Sequence, residues 1–128
     1  MRLTSEQHDA LVAHAREEAP NECCGYMRLR DGVVHDVVRA VNDRASPYGY
    51  TLDAKSLLGA FNATEDGFEV AIYHSHPRSA AEPSQTDINL AEYPEYVYVI
   101  VSLAEDGRRV RAWRIVDGRV NEEEVVIG

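Results

Sequence analysis

Two histidines, a serine and an aspartate fall at fixed offsets in His74-Ser75-His76-Pro77, Ser84 and Asp87. The run before them, Glu69-Val70-Ala71-Ile72-Tyr73, reads as a strand leading straight into His74. Side chains at i and i+2 share one face of a strand, so His74 and His76 can address a single metal ion. Pro77 has no N–H to donate and ends the strand just past the second histidine. Ser84-Gln85-Thr86-Asp87 has the look of a helix start, with Ser84 as N-cap and Asp87 in the first turn. A carboxylate there can turn back toward the imidazoles. Two imidazoles, one carboxylate and one open position form the ligand set of a catalytic zinc site. A lone histidine at a strand end is usually structural; the combination is what points to metal.

The elements that must hold these residues follow from the rest of the chain. Thr4 with Gln7 makes a capping box, opening a helix of about fifteen residues that ends before Pro20. Leu11, Val12, Ala15 and Ala19 form its apolar stripe, and His8 and His14 are expected at the surface. From Glu22 the pattern alternates, with Glu22, Cys24 and Tyr26 on one face and Cys23, Gly25 and Met27 on the other. Asp31-Gly32 signals a hairpin turn into a second strand over 33–41. Residues 42–50 (NDRASPYGY) read as a loop. Asp53 caps a second helix, with Leu57, Leu58 and Phe61 expected inward and Gly67 just past its end.

A short helix is expected over 84–92, with Asp87, Leu90 and Ala91 on one packed face. Residues 96–103 are apolar on both faces, as in a central covered strand. Asp106-Gly107 and Asp117-Gly118 mark two more hairpins, through strands over 110–116 and 120–127. Asn121-Glu122-Glu123-Glu124 reads as a solvated strand edge. These elements make one α/β domain over residues 1–128, a mostly antiparallel mixed sheet packed by helices.

The 128 residues suffice for a core without disulfide staples. Cys23 and Cys24 are adjacent and read as reduced thiols; as zinc ligands they lack a second cysteine pair. A net charge of −9 argues against nucleic acid as the main partner, because phosphate binding relies on clustered Lys and Arg. With neither a signal peptide nor an apolar run near twenty residues, no membrane association and a cytoplasmic location are expected.

His-x-His-Pro, six residues, then Ser-x-x-Asp resembles the signature of the JAMM (MPN-plus, Mov34) metallopeptidases. The resemblance runs from the first helix to the last strand. It implies a JAMM/MPN-like (cytidine-deaminase-like) domain and one further catalytic element, an upstream glutamate, whose place Glu22-Cys23-Cys24-Gly25 fits. Taken alone, Glu22 would be a surface charge. The family mechanism implies Zn²⁺ held by His74, His76 and Asp87, with Glu22 as general base and Ser84 donating a hydrogen bond to the oxyanion. Ser84 as a plain helix N-cap is compatible with that role.

The chain is most similar to the small bacterial subgroup that releases cysteine or another adduct from the Gly-Gly tail of a sulfur-carrier protein. Archaeal relatives cleave isopeptide bonds to similar ubiquitin-like modifiers, and the motif does not separate the two. A RadC-like protein and an inactive MPN scaffold are the competing readings. The acidic charge and Glu22 count against the first, and the filled signature positions against the second.

Overall fold

The capping box forms as the Thr4–Gln7 spacing predicts, each residue's side chain accepting from the other's backbone N–H. It opens α1 (Ser5–Glu18), in a computed structural model that describes residues 1–104 and 107–128. Leu11, Val12 and Ala15 are buried as their spacing requires, whereas Ala19 is exposed as the C-cap. His14 corrects the expectation of a surface residue. It lies i+3 from Leu11 on the same stripe, is 3% exposed, and its Nδ1 pairs with the Tyr73 hydroxyl at 2.7 Å. Burial pushes its pKa down, so a neutral ring occupies the core.

Among the described residues, eight strands follow the order β7-β6-β5-β4-β2-β3-β1-β8. They are β1 (Arg2–Leu3), β2 (Cys24–Arg30), β3 (Val33–Arg39), β4 (Glu69–His76), β5 (Val97–Ser102), β6 (Val110–Val116), β7 (Arg119–Glu123) and β8 (Val126–Ile127). The long ladders β2–β3, β2–β4, β5–β6 and β6–β7 are antiparallel, and β4–β5 is parallel. Turn chemistry sets two hairpins: Asp31-Gly32 and Asp117-Gly118 both have positive φ at both residues, as a tight right-twisted turn requires. Asp106 lies outside the described residues, and β5 and β6 pair antiparallel across that turn.

The strand expected over 120–127 breaks instead. Its first part is β7 on β6, and β8 crosses to pair with β1 at the opposite end of the strand order. Only Glu124 and Val125 separate them, so the sheet must curl. The glutamates of this segment are not merely solvated: Glu122 pairs with Arg111, and Glu123 with Arg114.

Period-two alternation sorts the core onto two faces. Met27, Leu29, Tyr73, Val97, Val99 and Val101 pack on one with α1. Cys24, Tyr26, Val70, Ile72, Tyr98 and Ile100 line the other, under α2 (Ala54–Glu65). Both cysteines are therefore buried, because both faces are covered. Helix α2 keeps its Asp53 cap but not its expected orientation. Ser56, Ala60 and Ala63 are the buried positions, while Leu57, Leu58 and Phe61 are exposed. Bulky Tyr26 stands against this helix, with its hydroxyl where a Gly59 side chain would sit. Only small residues fit that close approach, which turns the large ones outward. Helix α3 (Gln85–Leu90) is short, buries no residue fully and leaves Leu90 exposed, against the packed face expected for it.

Gly25 marks the closest packing in β2. A Cβ there would collide with the Tyr73 ring and the Val38 carbonyl. Gly25→Ala should cost about 1–3 kcal/mol or more by overpacking, read as a lower urea midpoint at unchanged slope.

Candidate metal and catalytic centre

β4 ends on the α2 face with His74 and His76, whose Nε2 atoms face each other at 3.2 Å. Helix α3 brings the third group. Asp87 Oδ1 lies 3.1 Å from His74 Nε2, and Oδ2 lies 2.9 Å from His76 Nε2. All three ligand atoms fall within 4.8 Å of one another. The expected trio is therefore assembled, with both histidines buried and the Asp87 side chain 8% exposed.

Local hydrogen bonds fix His76 and Asp87, whereas His74 Nδ1 has no hydrogen-bond partner among the described residues. The Ala80 carbonyl can only accept, so His76 Nδ1, 2.9 Å away, donates to it and Nε2 faces Asp87, carrying a proton in the charged ring and a lone pair once that proton leaves. Asp87 is held by the cap of its own helix: Ser84 N donates to Oδ2 at 2.9 Å, and Ser84 Oγ accepts from Asp87 N at 3.1 Å. Ser84 is thus the N-cap its sequence predicts, exposed, with its hydroxyl proton free to be donated. The loop between ligands is gripped by its main chain. Ser102 Oγ donates to the Ser79 carbonyl at 2.6 Å, and Trp113 Nε1 to the Ala81 carbonyl at 3.0 Å.

This donor set suits a cation. Two imidazole lone pairs cannot bond each other, and a buried carboxylate needs a positive partner. Burial opposes the charge on Asp87, but hydrogen bonds from His74 and His76 hold its carboxyl well below the usual range. Burial lowers the pKa of His74. It also acts to lower that of His76, but the Asp87 and Ala80 contacts outweigh it and raise the pKa. Tyr50 closes the outer side, its ring stacked on His74 at 4.5 Å and 17°.

Glu22 lies just before β2 and outside the ligand trio. It is 5% exposed, and its Oε1 has no hydrogen-bond partner among the described residues. Desolvation lifts its pKa to about 7, with His76 and Asp87 acting in opposite directions on it. Its backbone is tied to the 42–50 loop through the Ser46 carbonyl and the Asn42 side chain. Cys23 and Cys24 are unsuited to be nucleophiles, because burial pushes their thiols up to about 11 and about 12.

Motif spacing missed two contributors, Asn42 and Tyr50's stacking. A loop that opens with Asn, which readily forms side-chain turns, was the available signal for the first. From Asp87 an apolar groove runs past Tyr50, Leu52, Leu57, Ile72 and Tyr93. Part of the exposed face of α2 therefore borders the site.

Residues 4–116 match the family described as prokaryotic homologs of the JAB domain. The chain belongs to that family. A CysO-cysteine peptidase of Mycobacterium tuberculosis is 42% identical over 122 residues, covering 91% of this chain and 84% of that protein. A desampylase of Haloferax volcanii is 37% identical over 116 residues, covering 83% and 81%. The solution structure of a Desulfitobacterium hafniense protein shares this JAB-domain fold with a TM-score of 0.85 and 34% identity, over 99% of this chain and 92% of that one.

Two outcomes follow from this geometry. The protein should bind about one divalent transition metal per chain, as one site implies. The His74→Ala, His76→Ala double variant should lose it, measured by elemental analysis after gel filtration. The second concerns the metal-free protein. A folded-state pKa of about 7 for Glu22, above the ordinary 4.5, means that the folded state holds the proton more tightly. Stability should then fall as pH rises from about 4.5 to 7. Glu22→Gln, which mimics the protonated form, should match the parent at pH 4 and exceed it at pH 8 in urea denaturation.

Proposed function

We propose that this protein is a JAMM-type zinc metallopeptidase. It hydrolyses the bond after the C-terminal Gly-Gly tail of a ubiquitin-like or sulfur-carrier β-grasp protein, releasing cysteine or another adduct. The observation that carries it is the buried His74–His76–Asp87 trio in the same site as a buried carboxylate, Glu22, with a pKa of about 7. Relatives named CysO-cysteine peptidase and desampylase support cleavage of sulfur-carrier or ubiquitin-like conjugates.

His74 Nε2, His76 Nε2 and the Asp87 carboxylate would hold the zinc, and the bound ion supplies a Lewis acid that brings a water toward a pKa of about 7. Glu22 takes the water's proton on its carboxylate and returns it to the leaving amine. A carboxylate that reaches both the water and the leaving nitrogen can do both in turn. The Ser84 hydroxyl donates a hydrogen bond to the substrate carbonyl oxygen as negative charge develops there. β4 is paired on both sides, so a tail cannot join it as a new strand. The tail enters along the groove beside Tyr50, where glycine passes close to the ligands without a side-chain clash.

The test follows the intact mass of the host's sulfur-carrier protein bearing a C-terminal cysteine. Zinc-loaded enzyme should remove the cysteine, and chelation should stop it. Glu22→Gln should keep zinc and lose turnover by ~10²–10⁴-fold, the usual worth of a general base. A carrier left uncut while a lysine-linked conjugate is cleaved moves the assignment to isopeptidase, the branch favoured by the desampylase relative.

A further inference from the structure

Asn42 uses its whole side chain. Nδ2 donates to the Glu22 carbonyl at 2.9 Å and to the Gly49 carbonyl at 3.1 Å. Oδ1 accepts from the Arg44 and Thr51 amides at 3.1 and 3.0 Å. A carboxamide offers two N–H donors and two lone pairs, so none is spare. Three of the four bonds shape the loop itself. The Arg44 bond closes a side-chain turn two residues on, and the Gly49 and Thr51 bonds hold the returning chain beside the Asn42–Leu52 bridge.

The fourth bond leaves the loop and grips Glu22. The Ser46 carbonyl, from the same loop, accepts the Glu22 N–H at 2.9 Å. Both main-chain polar groups of Glu22 are thus held by one loop. This matters because β2 begins only at Cys24, so no ladder fixes residue 22. Nor does the Glu22 Oε1 atom have, among the described residues, a hydrogen bond to aim the carboxylate. Its direction must come from the backbone. The same loop runs on to Tyr50, whose ring lies on His74.

We propose that Asn42 is a positioning residue for the reaction: it binds Glu22 and the Tyr50 loop into one unit and so aims the Glu22 carboxylate. This rests on Glu22 being the proton acceptor. Asn42 touches no reacting atom and acts through Glu22.

Two variants separate its bonds. Asn42→Asp keeps the acceptor bonds to the Arg44 and Thr51 amides but loses both donor bonds and sets a carboxylate against the Glu22 and Gly49 carbonyls. Asn42→Ala removes all four. In the metal-free protein, amide hydrogen exchange at Glu22 should speed up by at least about tenfold in both, since opening there loses its local tie. The Cys23 amide, bonded to Ser75 Oγ at 2.8 Å, should stay protected. Both variants should retain about one zinc per chain, as an intact single site requires.

On the carrier substrate kcat should fall about 10²-fold, the scale expected when a reacting group is misplaced by about 1 Å, and KM should change less than about threefold. Unchanged Glu22 exchange, or unchanged kcat in a folded Asn42→Asp protein, overturns the proposal. If Glu22→Gln itself leaves turnover intact, the base assignment fails instead, whatever Asn42 does. If Glu22→Gln lowers turnover and the Asn42 variants do not, only the positioning role falls.

Discussion

Two imidazole nitrogens pointed at each other across 3.2 Å, with a carboxylate against both, cannot all be satisfied by one another. At least one proton or a cation must lie among them. Everything around the trio keeps that demand in place: β4 is clasped by β2 and β5, and the Ala80 carbonyl sets the His76 tautomer. Ser84 grips the same Asp87 oxygen that meets His76. Cation uptake therefore displaces protons from His76 and its neighbours, which ties metal affinity to pH.

The chain reaches this arrangement by putting its polar chemistry on one face of one strand pair. Glu22, Cys24, His74 and His76 share a parity, and the odd-numbered Cys23, Tyr73 and Ser75 serve the opposite core. Ser75 shows how tightly the two faces are linked. It sits between the ligands, points away from them, and accepts the Cys23 N–H where β2 departs from β4.

Much of this was legible in the residues. Alternation and Pro77 placed the histidines, and the Ser84–Asp87 cap placed the carboxylate, because these signals act over a few residues. Asp31-Gly32 and Asp117-Gly118 announced their turns for the same reason. What failed depended on distant partners. Leu57, Leu58 and Phe61 look like a buried stripe until Tyr26 occupies the space beneath α2. His14 reads as polar until Tyr73, fifty-nine residues away, supplies its partner. The break in the last strand is set by β1, at the far end of the chain. Asn42 belongs with these, since one of its bonds reaches the Glu22 carbonyl, twenty residues back in the chain.

The connection from His76 to Ser84 is held almost wholly by carbonyl oxygens, gripped by His76, Ser102 and Trp113. Arg78, Ser79 and Ala80 turn their side chains to solvent. Such a segment is indifferent to spelling but strict about count. Exchanging any of the three leaves each anchor in place, whereas adding or deleting one residue would slide every carbonyl off its donor. The third ligand would then be carried out of register with the first two.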